Sequence, residues 1–215
     1  MLRVFAKPIP LVLLLGFCTA IPVLMAAVRV YQIPAGGLPA DSLRVAAAPV
    51  SMWLHSLAGV LFGVLGPLQF ARVLRRKYGR LHRILGRVFG VAGLFLGLSG
   101  LSLLLQVQSI STPLLEVFRG LAGGALVVAI VAGISAARRR DIPRHRAWMI
   151  RSYAIGMGSG TVALVMFPIY ILTGEPPTGW FADIVFVGWW ALNIALGEWV
   201  ARLGQPARRQ TPALA

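Results

Sequence analysis

The chain carries three histidines, and each one heads a stripe of small residues. Histidine is the side chain best suited to binding metals or moving protons near neutral pH. His82 stands four residues before Gly86, and the series continues as Gly90, Gly93, Gly97 and Gly100. His145 leads Met149, Ser152, Gly156 and Ser159, and His55 leads Gly59, Gly63 and Gly66. Steps of three and four put each series on one face of a helix. A face of small residues lets another backbone, or a flat ligand, come close. Two of the histidines are also set among arginines, in "RRKYGRLHRILGRVFG" (75–90) and "RRRDIPRHRAWMIRSYA" (138–154).

Haem b needs neutral imidazoles from two helices, small residues nearby and cations for its propionates. On that chemistry His82 and His145 are the candidate iron ligands. Arg83, Arg87, Arg146 and Arg151 are the candidate propionate partners, with Arg80 and Arg144 in the same ring. Arg87 and Arg151 fall a turn or more inside apolar runs, where an unpaired charge is costly. At ~1.5 Å per residue, His55 lies ~25 Å of depth from the other two and is a candidate to line a quinone pocket instead.

Three plainer readings compete. The stripes can serve helix packing alone, within one bundle or between copies in a homo-oligomer. His82, His145 and Glu198 can form a non-haem metal site. The Arg–His rim can bind an anionic lipid or substrate in a transporter or membrane scaffold. No H-E-x-x-H, phosphate-cradling loop or Ser–His–Asp set at one depth supports hydrolysis or phosphoryl transfer. The motifs leave open whether the protein is an enzyme.

These residues must be positioned by an all-helical transmembrane bundle. Hydrophobic residues make up 58% of the 215 and charged residues 13%, far from the balance of a soluble domain. Six apolar runs, near 9–31, 49–72, 84–107, 113–136, 147–172 and 180–201, are long enough to span a bilayer. Of the 21 Lys and Arg, 18 fall in segments 1–8, 71–87, 138–151 and 202–215, leaving Arg29, Arg44 and Arg119 on the other side. The positive-inside rule then predicts a multi-pass protein of the cytoplasmic (inner) membrane with both termini cytoplasmic. The net charge of +15 follows from this topology, so nucleic acid is not an expected partner; membrane lipids are, with a quinone or redox partner if haem is bound.

Residues 1–203 form one bundle with its functional core at 49–172, and 204–215 read as a disordered cytoplasmic tail. The first apolar run outlasts a signal-peptide core and reads as a retained helix. Cys18 is the only cysteine, which rules out an intramolecular disulfide. Thr112 and Pro113 read as cap and first residue of the fourth span. The six tryptophans fall mainly near span ends, as an interfacial belt does. Glu116 and Arg119 are expected to pair, and Gln69, Asp183 and Asn193 to face the interior.

"HSLAGVLFGVLGPLQF", "LHRILGRVFG" and "RHRAWMIRSYA" together resemble the bacterial membrane family called domain of unknown function 2306, over about residues 50–170. The resemblance carries His55, Gly66, Pro67, Gln69, His82, Arg83, Gly86, Arg87, His145, Arg146, Trp148, Met149, Arg151 and Tyr153. It implies a helical membrane fold and no particular activity. The family's usual arginine at the end of span five has no counterpart in "GSGTVALVMFP". Single histidines on successive helices are also similar to small b-type membrane cytochromes, a likeness of fold only.

Overall fold

A computed structural model describes residues 8–38, 46–107, 111–175 and 177–203, and every regular element within them is helical. The helices are α1 (Pro8–Gln32), α2 (Pro49–Phe70), α3 (Arg72–Lys77), α4 (Gly79–Gln106), α5 (Pro113–Arg138), α6 (Ile142–Thr161), α7 (Ala163–Thr173) and α8 (Gly179–Leu203). Six segments are long and apolar enough to cross a membrane, α6 and α7 together forming one of them. The tail 204–215 and Arg44 lie outside the described residues.

Three expectations need correcting. The third long helix starts at Gly79 rather than 84, so His82 and Arg83 sit inside it. Apolar content locates the membrane core, whereas basic side chains at a span end keep their heads in water and let the helix run on. The preceding basic stretch is not a plain loop, since Arg72–Lys77 coil into α3 after an extended Ala71 (φ −66°, ψ 118°). The fifth span is interrupted at Val162. The interruption follows Gly158–Thr161, where the Thr161 hydroxyl donates back to the Gly158 carbonyl, a bond that bends helices. Pro168 then removes a donor from the next turns.

Cap chemistry also differs from the sequence reading. Thr112 is the N-cap of α5, but its hydroxyl makes no capping bond. Instead its backbone N–H donates to Asp183 Oδ2 on α8 at 2.5 Å, which gives that buried carboxylate a partner. Asp141 does cap α6, accepting from the Arg144 N–H at 3.1 Å.

α4 lies between α2 and α5, α6 lies between α5 and α8, and α1 covers α2 and touches α6. α4 and α6 meet only over a short stretch. The gap between them is filled by side chains seated on glycines. Phe62, fully buried, lies against Gly93 of α4 and Gly156 of α6 and stacks on Phe89 at 4.4 Å. Ile130 also presses on Gly93, Tyr153 on Gly66, and Met149 on Gly133. Trp190 covers Gly158 and donates its Nε1–H to the Ile155 carbonyl at 2.7 Å. It is therefore a core residue and not part of an interfacial belt, because its ring fills a notch only glycine leaves.

Lipid tails are as apolar as these side chains, so van der Waals fit has to hold the helices together. Gly158→Ala is accordingly expected to destabilise the fold by about 1–3 kcal/mol, since the new methyl overlaps the Trp190 ring. Gly124→Ala, which meets nothing within 4 Å, is expected to be neutral. Thermal unfolding of both variants in detergent checks the contrast.

Candidate functional site

At the basic end of the bundle, His82 rises from the first turn of α4 and His145 from the first turn of α6. His82 lies within electrostatic reach of Arg75, His145 and Arg83. The His145 Nδ1 is 2.9 Å from the Gly133 carbonyl oxygen. A carbonyl only accepts, so Nδ1 carries the hydrogen and the lone pair of the neutral ring stands on Nε2. The His82 Nδ1 is buried without a hydrogen-bond partner.

Gln69, at the end of α2, joins this group. Its Oε1 stands against Gly86, one turn along α4 from His82, and its Nε2 is likewise buried without a partner. The Gln69 backbone carbonyl accepts from the Arg75 guanidinium at 3.0 Å. Arg75 reaches water, yet desolvation at the bundle edge, then the charges of Arg146, Arg72 and Arg76, hold its pKa below the ordinary arginine value. It stays charged, with three other guanidiniums close enough to oppose it. Asp141 is used as the cap of α6. Among the described residues, Arg75, Arg83 and Arg146 pair with no carboxylate.

The other predicted arginines separate from this cluster. Arg151 points to α8, where its guanidinium donates to Glu198 at 2.6 and 3.1 Å and lies over Trp148 at 4.9 Å. Arg202 donates to the same carboxylate at 2.6 Å. This pairing explains an arginine so deep in a span, and it removes Arg151 from the histidine rim. It also removes Glu198 from a metal site with His82 and His145. Among the described residues, no three His, Cys, Asp or Glu side chains converge as metal ligands. Arg87 is exposed.

The glycine face above His82 is occupied. Gly86 meets Gln69, Gly90 meets Ile134, and Gly93 meets Ile130 and Phe62. A porphyrin between His82 and His145 would have to displace some of these side chains.

At the far end, seventeen residues or ~25 Å along α4 from His82, His55 meets Ser99 with Nδ1 to Oγ at 3.1 Å. A cavity of about 350 Å³ is lined by His55, Gly97, Gly100, Glu116, Arg119 and Ser159, among others. Glu116 and Arg119 form the expected ion pair at 3.3 Å, and Arg119 also donates to Ser111 at 3.0 Å.

Sequence reasoning named both histidine settings but missed Arg75, the part Gln69 plays, and Ser99 as the partner of His55. Only the adjacency of "LQFARVLRR" to the span end hinted at the first two. Ser99 sits one residue off the glycine spacing and gave no signal.

The α6–α8 ion pair yields a direct test. Glu198→Gln strands Arg151 in an apolar setting and is expected to cost about 1–3 kcal/mol. Arg151→Met combined with Glu198→Met is expected to recover much of that loss, because neither charge is then left alone. Chemical unfolding in mixed micelles compares the two variants.

No curated protein and no solved structure matches the chain. The profile of one family, described as "Predicted membrane protein (DUF2306)", matches residues 52–201. That match runs from the second span through the sixth and takes in the three histidines, Gln69, Arg75 and both ends of the bundle. The chain therefore belongs to the DUF2306 family of membrane proteins.

Proposed function

We propose that this is a multi-pass protein of the cytoplasmic membrane, a transporter or scaffold in kind, whose basic end faces the cytoplasm. There it holds the anionic head group of a lipid or substrate. The distribution of Lys and Arg supports the orientation. One observation carries the binding role: two buried polar atoms, His82 Nδ1 and Gln69 Nε2, lack partners near Arg75, Arg83 and Arg146, which pair with no carboxylate among the described residues. Buried polar groups without partners are rare, and an oxyanion answers the Gln69 N–H, the imidazole in its N–H form and the arginine charges together.

Native mass spectrometry on protein reconstituted in mixed phosphatidylcholine and phosphatidylglycerol tests this. The bound lipid is expected to be enriched in phosphatidylglycerol. Arg75→Gln with Arg146→Gln should reduce the enrichment severalfold, and added salt should weaken it. Equal retention of both lipids, unchanged in the double variant, would reject a lipid ligand. Binding of inorganic phosphate to the same protein, measured alongside, identifies a soluble anion instead.

A second reading, haem b between His82 and His145, is favoured by the bond from His145 Nδ1 to Gly133, which fixes the tautomer as it is fixed in many imidazole metal ligands. Bound haem would supply one-electron transfer to or from a quinone or membrane partner. Arg83 and Arg146 would hold the propionates. On this reading, protein expressed with added haemin shows the reduced α-band of haem b. His82→Ala and His145→Ala abolish the band, while His55→Ala keeps it. A flat spectrum rejects the haem and leaves the anion site untouched.

A further inference from the structure

The cavity at the far end is independent of the basic rim, and its chemistry is more specific. Its walls come from α2, α4, α5, α6 and α8, and they are mostly apolar: Leu96, Leu103, Leu126 and Ile155 beside the backbone faces of Gly97 and Gly100. Polar groups stand at separate places on this wall. His55 is on α2, Ser159 on α6, and the partly exposed Glu116–Arg119 pair on α5. Apolar walls with a few polar groups are the usual build of a small-molecule site, and 350 Å³ lies at the small end of the range of about 300–1,000 Å³. That volume suits a single-ring head group.

The polarity of His55 can be assigned from its neighbours. Ser99 has one hydroxyl hydrogen and directs it to its own helix, with the Phe95 carbonyl at 2.5 Å and the Leu96 carbonyl at 3.3 Å. The same oxygen therefore accepts from His55, which places the imidazole hydrogen on Nδ1. The Leu96 carbonyl beside Ser99 also accepts from this imidazole, which agrees with the hydrogen on Nδ1; the lone pair of the neutral ring then stands on Nε2, and the ring lines the cavity. The ring packs on Gly100, where a Cβ would lie 3.4 Å from His55 Cε1, in ordinary contact. An acceptor of this kind selects a ligand that brings a hydroxyl or N–H. A hydrocarbon, or an ether of the same shape, would leave the nitrogen unanswered.

We propose that this cavity binds a membrane-soluble, one-ring phenol of the hydroquinone type, whose hydroxyl donates to Nε2 of His55. The apolar walls take the ring and its alkyl substituents, and the Glu116–Arg119 pair stands where the cavity meets the surface.

The test uses the full-length protein in detergent and two probes of nearly the same shape, trimethylhydroquinone and its dimethyl ether, titrated by calorimetry. The hydroquinone is expected to saturate a single site and to bind roughly three- to tenfold more tightly than the ether, the difference a single hydrogen bond makes. His55→Phe keeps the bulk but not the acceptor, and should bind both probes alike. His55→Gln offers an amide oxygen and should keep part of the preference. Ser159→Leu fills the cavity from α6 without touching His55, and should weaken both probes. Absence of saturable binding, equal affinity of the wild type for the two probes, or a preference that survives His55→Phe overturns the proposal. Should His55→Phe fail to fold, unchanged affinity in Ser159→Leu overturns it instead.

Discussion

Large side chains seated on the glycines of neighbouring helices hold this bundle together, and the placement of its functional groups follows from that fit. In lipid the hydrophobic effect offers little to helix association, so atoms have to touch. Glycine series on α2 and α4, with further glycines on α5 and α6, provide the notches. Phe62, Ile130, Met149, Tyr153 and Trp190 provide the bulk that fills them. Each of these large side chains comes from a different helix than the glycine it covers, so the pattern is reciprocal. Phe62 of α2 settles between α4 and α6, and Tyr153 of α6 settles on α2. Moving α2, α5 or α6 would open gaps on two neighbours at once, which fixes their depth and rotation together.

The filled middle divides the molecule into two ends with different chemistry. Toward the basic end, the bundle closes over Phe62, Phe89 and Tyr153, and what lies beyond them is polar: Gln69, His82, His145 and their arginines. Toward the far end, Phe118, Phe186 and Trp190 form a second aromatic group, and an apolar cavity bordered by Trp190 and the His55 imidazole lies beside it. Charge in the spans is handled by the same economy of contact. Arg151 is held by Glu198 and a tryptophan face, Arg119 by Glu116 and Ser111, and Asp183 by a backbone N–H at the start of α5. Against that background, His82 Nδ1 and Gln69 Nε2 are among the few buried polar atoms left without a partner.

Much of this was legible in the residues. Six spans, the glycine faces, the depth of His55 and the Glu116–Arg119 pair all follow from periodicity and length. The failures have physical causes. Hydropathy marks where the lipid core lies, so it placed the start of α4 too late and hid α3. A single threonine bending its helix, with a proline seven residues on, does not interrupt an apolar run, so the break at Val162 was invisible. Pairing across helices was harder still. Glu198 lies 47 residues from Arg151, and nothing local shows that the two meet. The seam of glycines was visible, but what fills it was not.

That last gap matters most for function, because the same spacing serves packing and ligand binding. On α4 one face both packs against neighbouring helices and borders a cavity. Gly90 and Gly93 are met by Ile134, Ile130 and Phe62, so their lack of side chain is consumed by neighbouring helices. Gly97 is met by Val127 on one side, yet it and Gly100 also border the cavity beside His55. The difference does not lie in the glycines, which are equivalent in sequence, but in the residues opposite. Where α5 and α2 present large side chains, the face closes. At the far end α5 brings the Gly123 backbone against Gly97 and α2 brings His55 against Gly100, and the cavity lies beside these contacts. A stripe of glycine thus states that something approaches closely, and only the partner residue states whether that something is another helix or a ligand.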